Sequence, residues 1–237
     1  PDLFIHVGDT VYSDQPLRAE MTAGDGTIFR NLVTEAKSKV AETLDEYRGQ
    51  WAYNLIDENF RKFNAQTAQF VLWDDHEVRD NWYPGQILTD RRYTIESRVD
   101  VLASRARRAF FEFTPIRGID PTASKVDRIL PFGPLLDVFG LDMRAYRGPN
   151  GPNREAALTP KSALLGSSQL TTLKRSLKAS RATWKVIASD MPIGLVVRDR
   201  PGWYEAVANN DQGPPAGREI EIADLLAQRV AVQPQHR

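Results

Sequence analysis

Cysteine is absent from this chain of 237 residues, which excludes disulfides and thiolate metal ligands within it. The 31 lysines and arginines balance 31 aspartates and glutamates, so the formal charge is zero. Nothing in that balance calls for a nucleic-acid partner or an anionic membrane surface. No apolar run approaches the length that crosses a bilayer, and the mean hydropathy is negative. The length itself suits one large domain with a full core.

Strand-like and helix-like patterns alternate along the chain, which is typical of an α/β fold rather than an all-β fold or a helical bundle. Short apolar runs predict strands at residues 2–7, 69–73, 132–143 as a strand pair, and 183–189. Apolar residues at three- and four-residue steps predict helices at 29–55, as one helix or a pair broken near Gly49, and at 57–64, 95–113, 168–179 and 220–230. Residues 198–217 are interpreted as a long loop without periodicity.

The stretch VLWDDHEVRDNWY, at residues 71–83, concentrates titratable groups at the exit of an apolar run. A second motif, GDTVYSD at residues 8–14, likewise places Asp9 just after a predicted strand. In α/β proteins, chemistry gathers at the carboxyl ends of strands. We therefore interpret the two motifs as halves of one metal site.

The residue types in both motifs suit metal-assisted phosphoryl chemistry. Asp9 can bridge two metal ions through its two oxygens, and Tyr12 can bring a phenol to the same side of the loop. Asp75 and His76 offer a hard oxygen ligand and an imidazole, and Asn81 adds an amide oxygen. Two metal ions about 4 Å apart can clamp both oxygens of an in-line phosphoryl displacement.

Each motif also has a purely structural interpretation. Asp9 after a strand can simply accept a local backbone bond in a turn. The acids at residues 74–80 can form a helix N-terminus, where carboxylates interact favourably with the helix dipole. Asp75 and His76 can be a structural pair, and His6 can be a core histidine or a supporting group. The tryptophans are interpreted as core or pocket wall, namely Trp73, Trp82, Trp184 and Trp203.

The conjunction of motifs is more specific than any one of them. GD-x-x-Y, WDDHE-x-x-x-NW, LD-x-R-x-YR and ATWKVIASDMPIG occur in this order and are followed by GREIEIADLL. This order closely resembles the PhoD-like alkaline phosphatase and phosphodiesterase family, within the calcineurin-like metallophosphatases. The resemblance extends over essentially the whole chain.

The resemblance implies a four-layer α-β-β-α metallophosphatase sandwich, with residues 1–237 as the central part of a single catalytic domain. It implies metal-dependent hydrolysis of phosphate mono- or diesters at alkaline pH, with iron(III) and calcium as cofactors and other divalent metals as alternatives. It also implies an extracellular, periplasmic or cell-envelope location. The family's first and last metal motifs fall outside these residues, so we expect a fragment that lacks both ends and alone binds metal poorly.

The same resemblance assigns roles to the metal ligands. Asp9 would be the metal-bridging carboxylate, and Tyr12 would be a phenolate ligand to ferric iron. Asp75 and Asn81 would serve the second metal or metals. His76 would stand near the leaving group, where it orients or protonates it.

The substrate contacts come from a third motif. Arg144, at a predicted strand-to-loop exit, would face the phosphate as a catalytic and substrate-binding residue, because a guanidinium can bind phosphate oxygens in a bidentate manner. Arg147 is a further substrate-binding candidate.

Three functional hypotheses stand side by side. The first is a phosphatase or phosphodiesterase, whose partner is a phosphate-ester substrate and not nucleic acid as such. The second is a non-catalytic or degenerate binding module that keeps the metallophosphatase fold. The third is a metallohydrolase that acts on another ester. The motifs do not select a substrate, because an open two-metal site tolerates many leaving groups, and they do not indicate an oligomeric state.

Overall fold

A computed structural model of the chain describes residues 1–116 and 125–230, with the side chains of 228–230 excepted. The fold is mixed α/β, and the chain divides into two compact units, one that ends at residue 124 and one that begins at residue 125. Within the described ranges, no helix is both long enough and apolar enough to span a membrane.

The first unit is built on two parallel strands. Strand β1 (Phe4–Val7) pairs with β4 (Gln69–Leu72), in a register that runs from Phe4 opposite Gln69 to Val7 opposite Leu72. Both strands end at the same edge, so the residues that follow them emerge side by side. The strands predicted at 2–7 and 69–73 are thus confirmed. A separate antiparallel hairpin joins β2 (Glu20–Thr22) to β3 (Ile28–Arg30).

The described part of the first unit also contains three α-helices: α1 (Leu44–Asn54), α2 (Glu58–Gln66) and α3 (Val99–Phe113). Thr43 begins α1 with a capping box, in which its side chain accepts from the Glu46 N–H and the Glu46 side chain accepts from the Thr43 N–H. Helix α1 packs on α3 through Trp51, which contacts Phe110 edge-on at 5.9 Å between ring centroids. The helices predicted at 57–64 and 95–113 are confirmed, with shifts of a few residues at their ends.

The helix predicted from residue 29 is wrong over its first half. Residues 28–30 form β3, residues 35–37 form a single 3₁₀ turn, and helical structure begins only after the Thr43 cap. The apolar spacing of this segment does not mark a buried helix face, because Phe29 and Leu32 are 56% and 61% exposed. No break occurs at Gly49, where a Cβ would collide with the Cβ of Ala36. Glycine at that position permits close packing of the 3₁₀ turn on α1.

The second unit contains a three-stranded sheet in the order β5 (Arg128–Phe132), β6 (Leu136–Gly140) and β7 (Trp184–Ala188). Strands β5 and β6 form an antiparallel pair, so a strand pair is confirmed, but it begins four residues before the predicted range of 132–143 and ends at residue 140. Strand β7 lies parallel to β6. Helix α4 (Ser167–Ala179) and helix α5 (Glu219–Val230) pack with the sheet. The core that they share is apolar and consists of Phe139, Leu141, Met143, Leu164, Leu165, Leu170, Leu173, Met191, Ala206, Val207, Ile222 and Leu225.

Two further predictions need correction. The segment at 198–217 is not wholly irregular, because β8 (Arg198–Arg200) and β9 (Trp203–Tyr204) form a short hairpin within it. Trp184 is 67% exposed and so is not a core residue, because it lies at the start of an edge strand. Trp73 and Trp82, by contrast, are buried as expected.

Candidate metal centre

The two predicted motifs meet where β1 and β4 end. Gly8 follows β1 with a φ of 109°, and a Cβ at this position would lie 2.5 Å from both the Cβ and the backbone nitrogen of Asp74. Only glycine allows this approach of the two loops. Asp9 adopts the left-handed conformation, with a φ of 57°, and this turn brings its carboxylate over the second loop. The parallel pairing of β1 with β4 thus places both motifs at one site, as the sequence predicts.

Three candidate ligands come together at this point. One ligand atom from each of Asp9, Asp75 and His76 lies within 4.8 Å of the others. Asp75 is buried, whereas Asp9 and His76 are half-buried. Two carboxylates and an imidazole form a donor set that suits hard or borderline metal ions.

An unsatisfied oxygen supports the fit to a metal ion. Among the described residues, Oδ1 of Asp9 is buried and has no hydrogen-bond partner, while its Oδ2 accepts from the Tyr12 hydroxyl at 3.0 Å. A buried acceptor without a partner costs free energy, and a cation would remove that cost. The residues present therefore fit a bound metal.

The electrostatics around Asp9 also favour a bound cation. Burial raises the pKa of Asp9 above its usual range, and the neighbouring carboxylates of Asp74 and Asp75 raise it further. Burial and the adjacent Asp9 also raise the pKa of the Tyr12 phenol to about 12. Without a cation, negative charge is therefore disfavoured at both groups, and a bound metal would reverse that balance.

Asn81 contacts the ligand cluster through its main chain. Its backbone N–H donates to Oδ2 of Asp75 at 2.7 Å, and its φ is 55°. Its side-chain nitrogen donates to Oδ1 of Asp80 at 3.2 Å. The structure thus brings Asn81 next to Asp75, and its role as a metal ligand stays a prediction. Residues 74–80 form turns, so a helix N-terminus does not explain these acids.

The His76 ring is held from two sides. Its Nδ1 lies 2.7 Å from Oδ1 of Asp14, and its Nε2 lies 3.9 Å from Oδ1 of Asp75. Tyr12 stacks on the ring at a centroid distance of 4.2 Å. Burial would lower the pKa of His76, but the bond to Asp14 and the charges of Asp14, Asp75 and Asp9 raise it to about 9.

Two residues that sequence reasoning missed hold this site together. Asp14 binds His76. The sequence feature that could have indicated Asp14 is its position in GDTVYSD, two residues after Tyr12. Glu77 is buried between the loops and accepts the backbone N–H groups of Thr10 and Asp74. The sequence feature that could have indicated Glu77 is its position beside His76 in WDDHE.

His6 lies behind the first loop. The Gly8 N–H donates to its Nδ1 at 3.3 Å, and the Thr10 hydroxyl lies 3.3 Å from the same atom. Burial lowers the pKa of His6, which favours the neutral ring. These contacts agree with the expected supporting role.

Both predicted substrate-binding arginines lie in the second unit and are buried. Arg144 forms ion pairs with Oε1 of Glu205 at 2.9 Å and with Oδ2 of Asp190 at 3.4 Å. Arg147 donates to the Glu205 carbonyl at 3.0 Å and to the side chain of Asn150. Burial and the charge of Arg144 lower the pKa of Arg147 below its ordinary value. The contact of either arginine with phosphate stays a prediction.

A third buried arginine, Arg218, was not singled out from the sequence. Its Nη1 donates to the carbonyls of three consecutive residues, Tyr204, Glu205 and Ala206. Its Nη2 donates to the carbonyl of Pro149 at 3.0 Å. The sequence feature that could have indicated Arg218 is its position in the GREIEIADLL motif.

Fold and site together are those of a mixed α/β protein with a candidate metal centre at the carboxyl ends of two parallel strands. The model of the PhoD-like phosphatase family matches residues 1–233. The chain therefore belongs to the PhoD-like phosphatase family, and the resemblance of its motifs is confirmed.

Two relatives extend this finding. Alkaline phosphatase D of Bacillus subtilis (strain 168) is 28% identical over 200 residues, which cover 80% of this chain and 32% of that protein. A solved structure described as "Structure of PhoD" matches with a TM-score of 0.69 at 23% identity, over 96% of this chain and 43% of the other. The chain thus spans about a third of the curated relative's length. The structural match shows a similarity in fold.

Proposed function

We propose that the protein is a metal-dependent phosphoric ester hydrolase that acts on phosphate monoesters, diesters or both at alkaline pH. The observation that carries this proposal is the meeting of Asp9, Asp75 and His76 within 4.8 Å, with one buried Asp9 oxygen left without a partner among the described residues. Membership of the PhoD-like phosphatase family supports it.

The first unit supplies the metal ligands in this proposal. Asp9 would be the carboxylate shared by the metal ions, and Tyr12 would be a further ligand on the same loop. Asp75 and Asn81, on the second loop, would serve the second metal or metals. Iron(III) and calcium are the proposed ions, in keeping with a phenol beside hard oxygen donors. Bound ions would supply the Lewis acidity that phosphoryl transfer requires.

The remaining residues act on the substrate. His76 stands beside the carboxylates and protonates or orients the leaving group. Arg144 binds a non-bridging phosphate oxygen, and Arg147 contributes a weaker contact. Because Arg144 already pairs with Asp190 and Glu205, it is held in a fixed orientation within its unit.

The same proposal covers architecture and location. The similarity to a PhoD structure supports a four-layer α-β-β-α sandwich. In this proposal the chain belongs to a single catalytic domain. An extracellular, periplasmic or cell-envelope location goes with the family resemblance.

Metal content and hydrolysis test the proposal directly. The full-length protein would be analysed for metals by mass spectrometry and assayed with p-nitrophenyl phosphate and bis(p-nitrophenyl) phosphate at alkaline pH. We expect bound iron or calcium, and loss of both metal and activity in Asp9→Asn. Asp25→Asn, a change to an exposed acid in the β2–β3 turn, should retain both. An intact protein with neither metal nor hydrolysis would refute the proposal.

A further inference from the structure

Lys37 is a buried lysine that contacts the loop carrying Asp9 and Tyr12. Only 6% of the residue is exposed. Its Nζ donates to the Tyr12 carbonyl at 2.7 Å and to Oε1 of Gln50 at 2.8 Å. Lysine is almost never buried to this extent unless its head group is paired, because burial removes the group from water. These two acceptors therefore account for a lysine at this buried position.

The sequence places Lys37 there through a close contact between two elements. Lys37 ends the 3₁₀ turn of residues 35–37, and this turn packs on α1 where a Cβ at Gly49 would lie 2.4 Å from the Cβ of Ala36. Gln50, the next residue of α1, is buried and donates to the Ala36 carbonyl at 2.6 Å. The side chain that accepts from Lys37 is thus itself bound to the same turn.

Tyr12 is held at both its phenol and its backbone. The phenol donates to Oδ2 of Asp9 at 3.0 Å and stacks on the His76 ring at 4.2 Å between centroids. Among the described residues, the Tyr12 carbonyl accepts from Lys37 alone. The Lys37 carbonyl accepts the Leu17 N–H at 2.7 Å, so this one residue binds the loop at two points. An apolar side chain at position 37 would leave the Tyr12 carbonyl without that donor.

We propose that Lys37 is a positioning residue that fixes the backbone of Tyr12, so that the phenol stays against Asp9 and His76. This role rests on the proposed function, in which Tyr12 is a ligand at the metal centre. Lys37 contacts Tyr12 only through the carbonyl, so it acts through the position of the phenol and not by ligation. The role does not depend on the protonation state of any ligand.

The stack of Tyr12 on His76 provides a readout that needs neither metal nor turnover. In the metal-free, full-length protein, labelled at tyrosine and histidine, the nuclear Overhauser effect between the two rings would be assigned with Tyr12→Phe and His76→Gln. Lys37→Met keeps most of the side-chain volume but cannot donate. The effect should weaken about 3-fold in Lys37→Met, because it falls with the sixth power of distance and a displacement of about 1 Å is enough to disturb a site.

Hydrolysis by the metal-loaded, full-length protein is the second arm. Lys37→Met should lower kcat for p-nitrophenyl phosphate about 10- to 100-fold and change KM by less than about 3-fold, because a displaced ligand weakens the chemical step more than substrate binding. Lys62→Met, at an exposed pair with Glu58 on α2, is the matched control and should leave the ring contact and kcat unchanged.

A folded Lys37→Met protein with the wild-type ring contact would overturn the inference, and so would a weakened contact at wild-type kcat. If the wild type hydrolyses no ester, the proposed function fails, while the ring contact still shows whether Lys37 positions Tyr12.

Hydrogen exchange at Lys37 decides the matter if Lys37→Met does not fold. In lysine-labelled wild type, the Nζ protons of Lys37, assigned with Lys37→Arg, should exchange with solvent at least about 100-fold more slowly than those of Lys62. Equal exchange rates at Lys37 and Lys62 would show that the bond to Tyr12 is not maintained and would overturn the inference.

Discussion

The backbone N–H of Thr10 donates to Oε1 of Glu77 at 2.6 Å, across 67 residues of sequence. The other carboxylate oxygen of Glu77 accepts the N–H of Asp74 at 2.8 Å. Burial raises the pKa of Glu77 to about 8, against the effect of these two backbone bonds. One buried side chain therefore joins the loops that carry Asp9 and Asp75, and it does so through two acceptor atoms.

Replacing Glu77 by glutamine should destabilise the first unit. Glutamine offers one acceptor, so its NH₂ group would face a buried backbone N–H that has lost its partner. We expect the free energy of unfolding to fall by about 1–3 kcal/mol, measured by urea denaturation at about pH 9, where the Glu77 carboxyl is ionised and both of its oxygens accept. Glu58→Gln, which disrupts an exposed pair with Lys62 on α2, is the matched control. Equal stabilities of the two variants would contradict the bridging role of Glu77.

Gly8 and Gly26 both have positive φ values but differ in their surroundings. A Cβ at Gly8 would collide with Asp74, whereas a Cβ at Gly26 would meet nothing within 4 Å. Gly26→Ala should therefore cost only the backbone strain of about 1–2 kcal/mol. Gly8→Ala should in addition push the two loops apart and abolish metal binding. Metal content and thermal unfolding of both variants provide the comparison, and a Gly8→Ala protein that retains its metal would speak against the proposed centre.

The sequence predicts the ligand cluster because its members follow two strands directly. Asp9 and Asp75 stand two and three residues beyond the last pair of the β1–β4 ladder, and parallel strands bring such positions to one edge. The roles of Asp14 and Glu77 could not be derived in this way. Each depends on which atoms of the opposite loop it meets, and sequence spacing does not specify those contacts.

The secondary structure, too, could be predicted from the sequence in some segments and not in others. Helix α4 follows its local pattern closely, whereas the β5–β6 pair begins four residues before the predicted range. The segment before α1 does not, because the capping box at Thr43 and the β2–β3 hairpin override an apolar spacing that resembles a helix. Exposure of Trp184 follows from its place on an edge strand, which its own sequence does not reveal.

The pair between Arg48 on α1 and Glu112 on α3 should make stability depend on pH. Both guanidinium contacts are short, at 2.6 and 2.8 Å, and the bond to Arg48 lowers the pKa of Glu112 to about 2 from its ordinary value of 4.5. A depressed carboxyl pKa contributes stability above the unfolded-state value, and the contribution is lost as the pH falls towards 2. Glu112→Gln should thus be less stable than wild type at neutral pH, and the difference should shrink below pH 4.5.

The measurement is chemical denaturation of wild type and Glu112→Gln across this pH range. Because the pair is partly exposed, added salt should also reduce the difference. Glu20→Gln, which removes the exposed partner of Arg30, should show a smaller effect at neutral pH. A difference between wild type and Glu112→Gln that stays constant down to pH 2 would rule out the ion pair as its source.

In the second unit, the buried side chain of Arg218 binds the backbone of the loop between β9 and α5. Its guanidinium donates to carbonyls of Tyr204, Glu205 and Ala206, and burial lowers its pKa to about 10, so it remains charged at neutral pH. The Glu205 carbonyl also accepts from Arg147, and the Glu205 side chain pairs with Arg144. Arg218 therefore fixes the backbone of the residue that orients Arg144.

Arg218→Ala should remove this support and leave several buried carbonyls without a donor. We expect a loss of about 3–5 kcal/mol in the free energy of unfolding, in the range found when one partner of a buried charged network is removed. Cleavage by a protease should increase between residues 205 and 217, because the backbone there would no longer be held. Arg154→Ala, which breaks only an exposed pair with Asp211, should change neither quantity. Methionine fills much of the space of Arg218 but cannot donate hydrogen bonds. If the hydrogen bonds hold the loop, Arg218→Met should be as sensitive to protease as Arg218→Ala. If packing alone holds the loop, Arg218→Met should resemble the wild type.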